Sequence, residues 1–287
     1  MIVLNNDYSA ISSQLEQLSR LLRDLDSHFN GGRQLQIEDY LARQLYSNPY
    51  YLEGKRLNRF EYQVFSQFGE DGILAEIFNR IGTTNNYFIE FGVENGTECN
   101  TTNLLLKGWK GLWIEGSNEH CTAVQNSFKN KIANGELTCL NSFITADNIQ
   151  DLFRKANAPT EPDLISIDID RNDYHVWNAI TDYQPRVVVI EYNSIFRPGD
   201  HFIVPYDSTA VWDGSSNFGA SLQSYYELGL KKDYNLVGCG FSGVNAFFVR
   251  KDLVADLFHS PFTPETHYEP PRYFLYRKSG HYRKLDC

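Results

Sequence analysis

Residues 234–250, "YNLVGCGFSGVNAFFVR", decide the fold. Two apolar runs, 234–239 and 245–250, flank a short connector containing glycine. A crossover between parallel strands needs a dozen or more residues, so these runs must pair antiparallel, as a hairpin at one edge of a sheet. Upstream, strand-like runs at 87–92, 111–115, 137–141, 164–169 and 186–192 alternate with helical stretches near 68–81, 99–108, 117–132, 148–156, 173–181 and 218–230. Apolar runs separated by helices predict a parallel sheet covered on both faces. The expectation is an α/β fold: a seven-stranded, mostly parallel sheet with an antiparallel last strand.

The formal charge of −10 over 287 residues argues against a nonspecific nucleic-acid binder, which needs a basic face to displace counterions. Apolar residues reach 42%, enough for a sizeable core, and no apolar run approaches the ~20 residues that span a bilayer. Cys99, Cys121, Cys139, Cys239 and Cys287 are far apart in sequence and form no C-x-x-C, so neither a disulfide framework nor a zinc cluster is indicated. Without a basic segment leading into an apolar one at the N-terminus, a cytoplasmic protein is expected.

Residues 9–29 differ from the rest. Ile11, Leu15, Leu18, Leu22, Leu25 and Phe29 recur at alternating steps of 4 and 3, the seam of a coiled coil. This helix is expected to end at Gly31-Gly32 and to join copies of the chain into a homo-oligomer. The expected organisation is a helical extension over 1–60, a catalytic domain over 61–260 and a tail over 261–287.

In an open α/β sheet, ligands lie beyond the carboxyl ends of the strands. The first such end, "YFIEFGVENGTECNT" at 87–101, carries Glu90, Gly92, Glu94, Asn95 and Gly96. Its glycines let a ligand approach the backbone, and the helix that follows would offer free N–H groups. Glu115, closing the second strand before Gly116 and Ser117, is placed to accept hydrogen bonds from a ribose diol. The fourth strand ends in Asp168 and Asp170, and the fifth in Glu191 and Asn193. Oxygen ligands from two neighbouring strands suit a hard cation, Mg²⁺ or Mn²⁺, with Asp168, Glu191 and Asn193 as the expected set. Asp170, His175 and His201 are the candidate proton acceptors. The long loop 194–220 is the expected acceptor site, with Arg197, Tyr206, Trp212 and Asn217 as contacts and Arg171 beside it.

These residues carry a resemblance. "FSQFGEDGIL" (65–74), "FIEFGVENGTECNT" (88–101), "GWKGLWIEGS" (108–117), "LISIDIDRNDYHVW" (164–177) and "VVVIEYNS" (187–194) resemble, in order, the FkbM-type S-adenosylmethionine-dependent O-methyltransferases. The resemblance spans about 65–250 and implies a Rossmann-like class I methyltransferase fold. It implies that Gly92 and Gly96 flank the methionine part of the cofactor, that Glu115 binds the ribose, and that Gln67, Glu70 and Asp71 border or cover the cofactor. It further implies a sugar acceptor, in the first instance a nucleotide-linked sugar of a polysaccharide pathway. Arg171 departs from the family pattern, where glycine is frequent. Two rival readings are a nicotinamide-dependent sugar-nucleotide oxidoreductase or epimerase and a non-catalytic assembly protein. A missing third glycine and the terminal hairpin oppose the first, and the intact acidic constellation opposes the second.

Overall fold

The computed structural model describes residues 3–277 and Leu285. The chain divides into two compact units, Met1–Asn48 and Pro49–Cys287. The first is a single long helix, α1 (Val3–Tyr40), continued by a π-turn over Leu41–Tyr46. The expected stop at Gly31-Gly32 does not occur. Each glycine costs a helix only about 1 kcal/mol relative to alanine. Neither adopts positive φ, and good helix formers, Arg33 to Gln36, follow them. Gly-Gly therefore weakens this helix without ending it.

The second unit is the α/β domain. After α2 (Glu70–Ile81) come β1 (Tyr87–Phe91), α3 (Thr102–Leu106), β2 (Lys110–Glu115), α4 (Asn118–Ser127), α5 (Lys129–Ala133), β3 (Leu137–Asn141), α6 (Ile149–Lys155), β4 (Leu164–Ile167), α7 (Asp173–Ala179), β5 (Val187–Glu191), α8 (Leu222–Lys231), β6 (Tyr234–Cys239) and β7 (Asn245–Arg250). The strands form one seven-stranded sheet in the order β3-β2-β1-β4-β5-β7-β6. β1 to β5 run parallel, while β7 lies antiparallel to both β5 and β6, as the hairpin required. This is the Rossmann-like fold expected, with strand order reversing between β1 and β4.

Alternation along each strand builds two cores. Ile89, Phe91, Ile165, Ile167, Val188 and Ile190 face α6, α7 and α8. Phe88, Trp113, Leu164, Val187 and Val189 face α2, α3 and α4. Glu90 has the same parity as Phe88, so it points toward the α3 side. Folding also brings together two cysteines distant in sequence: Cys121 Sγ and Cys139 Sγ lie 3.4 Å apart as free thiols.

Candidate active site

A cavity of about 860 Å³ opens at the carboxyl ends of β1, β2, β4 and β5. Its two ends are built differently. At the β1–β2 end the carboxylates are held by the backbone. Glu90 is 4% exposed. Its Oε1 accepts from Asn100 N at 2.9 Å, and its Oε2 accepts from Thr101 N at 3.0 Å and from the Thr101 hydroxyl. Trp113 Nε1 donates to Thr101 Oγ1 at 2.8 Å, and Asn100 Nδ2 to Ser166 Oγ at 3.0 Å. Burial raises the Glu90 pKa, against the pull of these donors. The expectation of free N–H groups at the start of α3 is therefore corrected: Glu90 occupies two of them.

Glu115 is also backbone-bound. Oε2 accepts from Glu94 N at 2.8 Å, and Oε1 from Ser117 N at 2.7 Å. Each oxygen keeps a lone pair for a ligand hydroxyl. Ser117 then caps α4, its side chain accepting from His120 N. Gly92 adopts φ +76, and a Cβ there would fall 1.6 Å from the Asp168 carbonyl oxygen. Only glycine lets the ends of β1 and β4 approach this closely.

At the β4–β5 end one carboxylate oxygen each from Asp168, Asp170 and Glu191 lies within 4.8 Å of the others. Burial, then mutual repulsion, raises Asp168 and Glu191 well above the usual carboxylate range, and burial raises Asp170. Glu191 Oε2 and Asn193 Oδ1 are buried without a hydrogen-bond partner. Asn193 is fully buried, and its Nδ2 donates to Ser216 O at 2.8 Å and Phe218 O at 3.1 Å. Three converging carboxylates with an orphaned oxygen fit a divalent cation bound through oxygen. Asp170 completes this cluster from a left-handed conformation, φ +63. It reaches the site through that turn, not through an extended segment.

Several expected residues lie elsewhere. Asp71 Oδ2 accepts from Val64 N, Phe65 N and Ser66 N, each at 2.8 Å, and Glu70 Oε2 accepts from Phe68 N and Gly69 N at 3.1 and 2.9 Å. Both fold the loop that presents Gln67 and Phe68 to the cavity, and neither lines it. Asn95 closes a turn on Thr97, and Gly96 packs where a Cβ would sit 2.8 Å from Trp113 and Phe128. His175 Nε2 bonds Val204 O at 2.7 Å, and His201 Nε2 bonds Glu227 Oε1 at 2.7 Å. Neither histidine lines the cavity, so Asp170 is the one candidate proton acceptor that does. From loop 194–220 the lining includes Trp212, whereas Arg197 and Asn217 are exposed outside it and Tyr206 bonds Asp147. Arg171 also lies outside the lining, its charge acting on Asp207 and Asp213.

Other lining residues had no signal in the repeating pattern. Phe143 and Ile144 follow β3, and Tyr273 and Tyr276 come from the segment after β7. That segment crosses back over the strand ends. Arg272 Nη1 donates to Phe241 O at 2.8 Å, and Tyr276 OH to Glu98 Oε1 at 3.0 Å. The Tyr276 ring stands edge-on to Phe68 at 6.1 Å.

No known family model matches the chain, and no curated protein matches it. Among solved structures, 298 chains match. One is magnesium protoporphyrin IX methyltransferase from Synechocystis with bound S-adenosylmethionine, at 10% identity, 76% of this chain, 97% of that one and a TM-score of 0.44. Another is an S-adenosylmethionine-dependent methyltransferase from Clostridium acetobutylicum, at 13% identity, 61% and 88% coverage and a TM-score of 0.39. A third is the methyltransferase domain of a bacterial Hen1 protein, at 12% identity, 62% and 95% coverage and a TM-score of 0.40.

Proposed function

We propose that the chain is an S-adenosylmethionine-dependent O-methyltransferase that methylates a sugar hydroxyl with the help of a divalent cation. The observation that carries this reading is the shared cavity: a carboxylate with free lone pairs on β2 stands at one end, and the cluster of Asp168, Asp170 and Glu191 at the other. Glu115 would accept the ribose hydroxyls, and Glu90, which also lines the cavity, would border the methionine end. Bound S-adenosylmethionine supplies an already activated methyl group, so the protein's task is mainly alignment. A cation on Asp168, Asp170 and Glu191, with Asn193 Oδ1 behind them, would lower the pKa of an acceptor hydroxyl. Asp170 lines the cavity from its left-handed turn, and its oxygen not committed to the cation would take the released proton. Trp212, Phe218, Tyr273 and Tyr276 line the cavity and would offer flat faces to a sugar ring.

A dinucleotide reading is disfavoured by Glu90. In dinucleotide-binding domains the pyrophosphate takes the N-terminus of the first helix. Here a buried carboxylate accepts from the Asn100 and Thr101 N–H groups, and a second anion would meet its charge. Calorimetry with S-adenosylmethionine and with NAD separates the two readings: binding of the first alone is expected, and binding of NAD alone would overturn the proposal. Mass spectrometry of products from a panel of free and nucleotide-linked sugars then tests the acceptor.

A further inference from the structure

Helix α1 carries an apolar row without cover among the described residues. Ile11, Leu15, Leu18, Leu22, Leu25 and Phe29 are 52–71% exposed, and Leu21 beside them is 59% exposed. Their spacing of alternating 4 and 3 residues is the period that keeps one stripe facing a second helix in a left-handed supercoil. The row ends where its next position is Gly32, although the helix itself continues to Tyr40. A contiguous exposed stripe of this kind marks an interaction surface.

We propose that α1 pairs with α1 of a second copy of this chain, antiparallel, about a two-fold axis near residue 20. Two observations select this occupant and this direction. The first is self-complementarity. In an antiparallel pair the six residues fall into matched layers, Ile11 with Phe29, Leu15 with Leu25 and Leu18 with Leu22, each made twice by symmetry. Both ends of the row are covered, and no layer is left with a polar residue. The second is Leu21. It flanks the row on the side shared with Gln14, opposite Ser12, Ser19 and Asp26. In a parallel pair Leu21 would meet Asp26 of the second copy. In the antiparallel pair Leu21 meets Leu21, and Asp26 meets Ser12, so the apolar stripe widens and no like charges are apposed. The area is sufficient. The seven side chains would remove on the order of 1,000 Å² of apolar surface from water over two copies, near the lower bound for a specific interface.

The test is light scattering of the full chain, with cross-linking to fix the direction. The expected mass is twice that of the chain, and it falls to one chain in the Leu18→Asp, Leu22→Asp double variant. Binding of S-adenosylhomocysteine, or a far-ultraviolet and thermal-melting comparison should that ligand not bind, confirms that the variant is folded. In a Cys287→Ser background, Leu21→Cys is expected to form an oxidised covalent dimer, and Ile11→Cys is not. A monomeric starting protein at micromolar concentration, or a dimer that survives the double variant, overturns the pairing. A dimer that cross-links through Ile11→Cys and not through Leu21→Cys overturns the direction.

Discussion

The two ends of the cavity treat their carboxylates in opposite ways. Glu90 and Glu115 have every oxygen bonded to a backbone N–H of the loop beside it. Asp168, Asp170 and Glu191 crowd together, with one oxygen orphaned and pKa values raised by burial. The first end is finished by the chain itself and is ready for a polar organic ligand. The second is energetically incomplete, because crowded like charges, two of them half-buried, need a counter-charge or a proton. A cation would supply that counter-charge, which is why the acidic end carries the proposal for a metal and the tidy end does not.

The contrast can be broken by substitution. Glu191→Gln is expected to have the largest effect on turnover, a loss of at least about 10²-fold. S-adenosylmethionine affinity should change little, as measured by calorimetry beside initial rates. Glu90→Ala should act on the fold instead. It strands two backbone donors and the Thr101 hydroxyl, costing about 3 kcal/mol of stability, and thermal melting would register it. A Glu191→Gln protein that loses cofactor binding, or a Glu90→Ala protein of unchanged stability, would remove the distinction between the ends.

Smaller effects sharpen the comparison. Glu115→Ala should weaken the cofactor by about 10-fold, the value of one or two ligand hydrogen bonds. Cation affinity should depend on pH. Protons held on Asp168 and Glu191 above the ordinary carboxylate range must leave before a cation binds, so affinity rises with pH through that range and falls on acidification. Cofactor affinity should vary less over the same interval. Tyr276→Phe removes the bond to Glu98 and should cost a few-fold in cofactor affinity.

Much of this is legible in the sequence, and the reasons are local. The β6–β7 hairpin follows from a connector too short for a crossover, and the carboxylates at strand ends follow from the period of the strands. What escaped depends on tertiary path. Nothing in the pattern says that residues 268–277 return across the strand ends, so Tyr273 and Tyr276 had no signal. His175 and His201 lie close in sequence to strand-end residues yet turn to Val204 O and Glu227. Asp71 and Glu70 look like ligand-binding acids, but a loop with several unpaired N–H groups consumed them first. Asp170 was legible at the strand end as a candidate proton acceptor, but its place in the acidic cluster depends on a left-handed turn that strand alternation does not encode.

The most direct test of the two-ended site is a calorimetric titration of Mn²⁺ into the protein saturated with S-adenosylhomocysteine, repeated with the Asp168→Asn, Glu191→Gln double variant. The expected result is one Mn²⁺ per chain in the unsubstituted protein and none in the double variant, with S-adenosylhomocysteine bound equally by both. Absence of Mn²⁺ binding at millimolar concentration in the saturated protein, or its persistence in the double variant, would contradict the assignment of the acidic cluster to a catalytic cation.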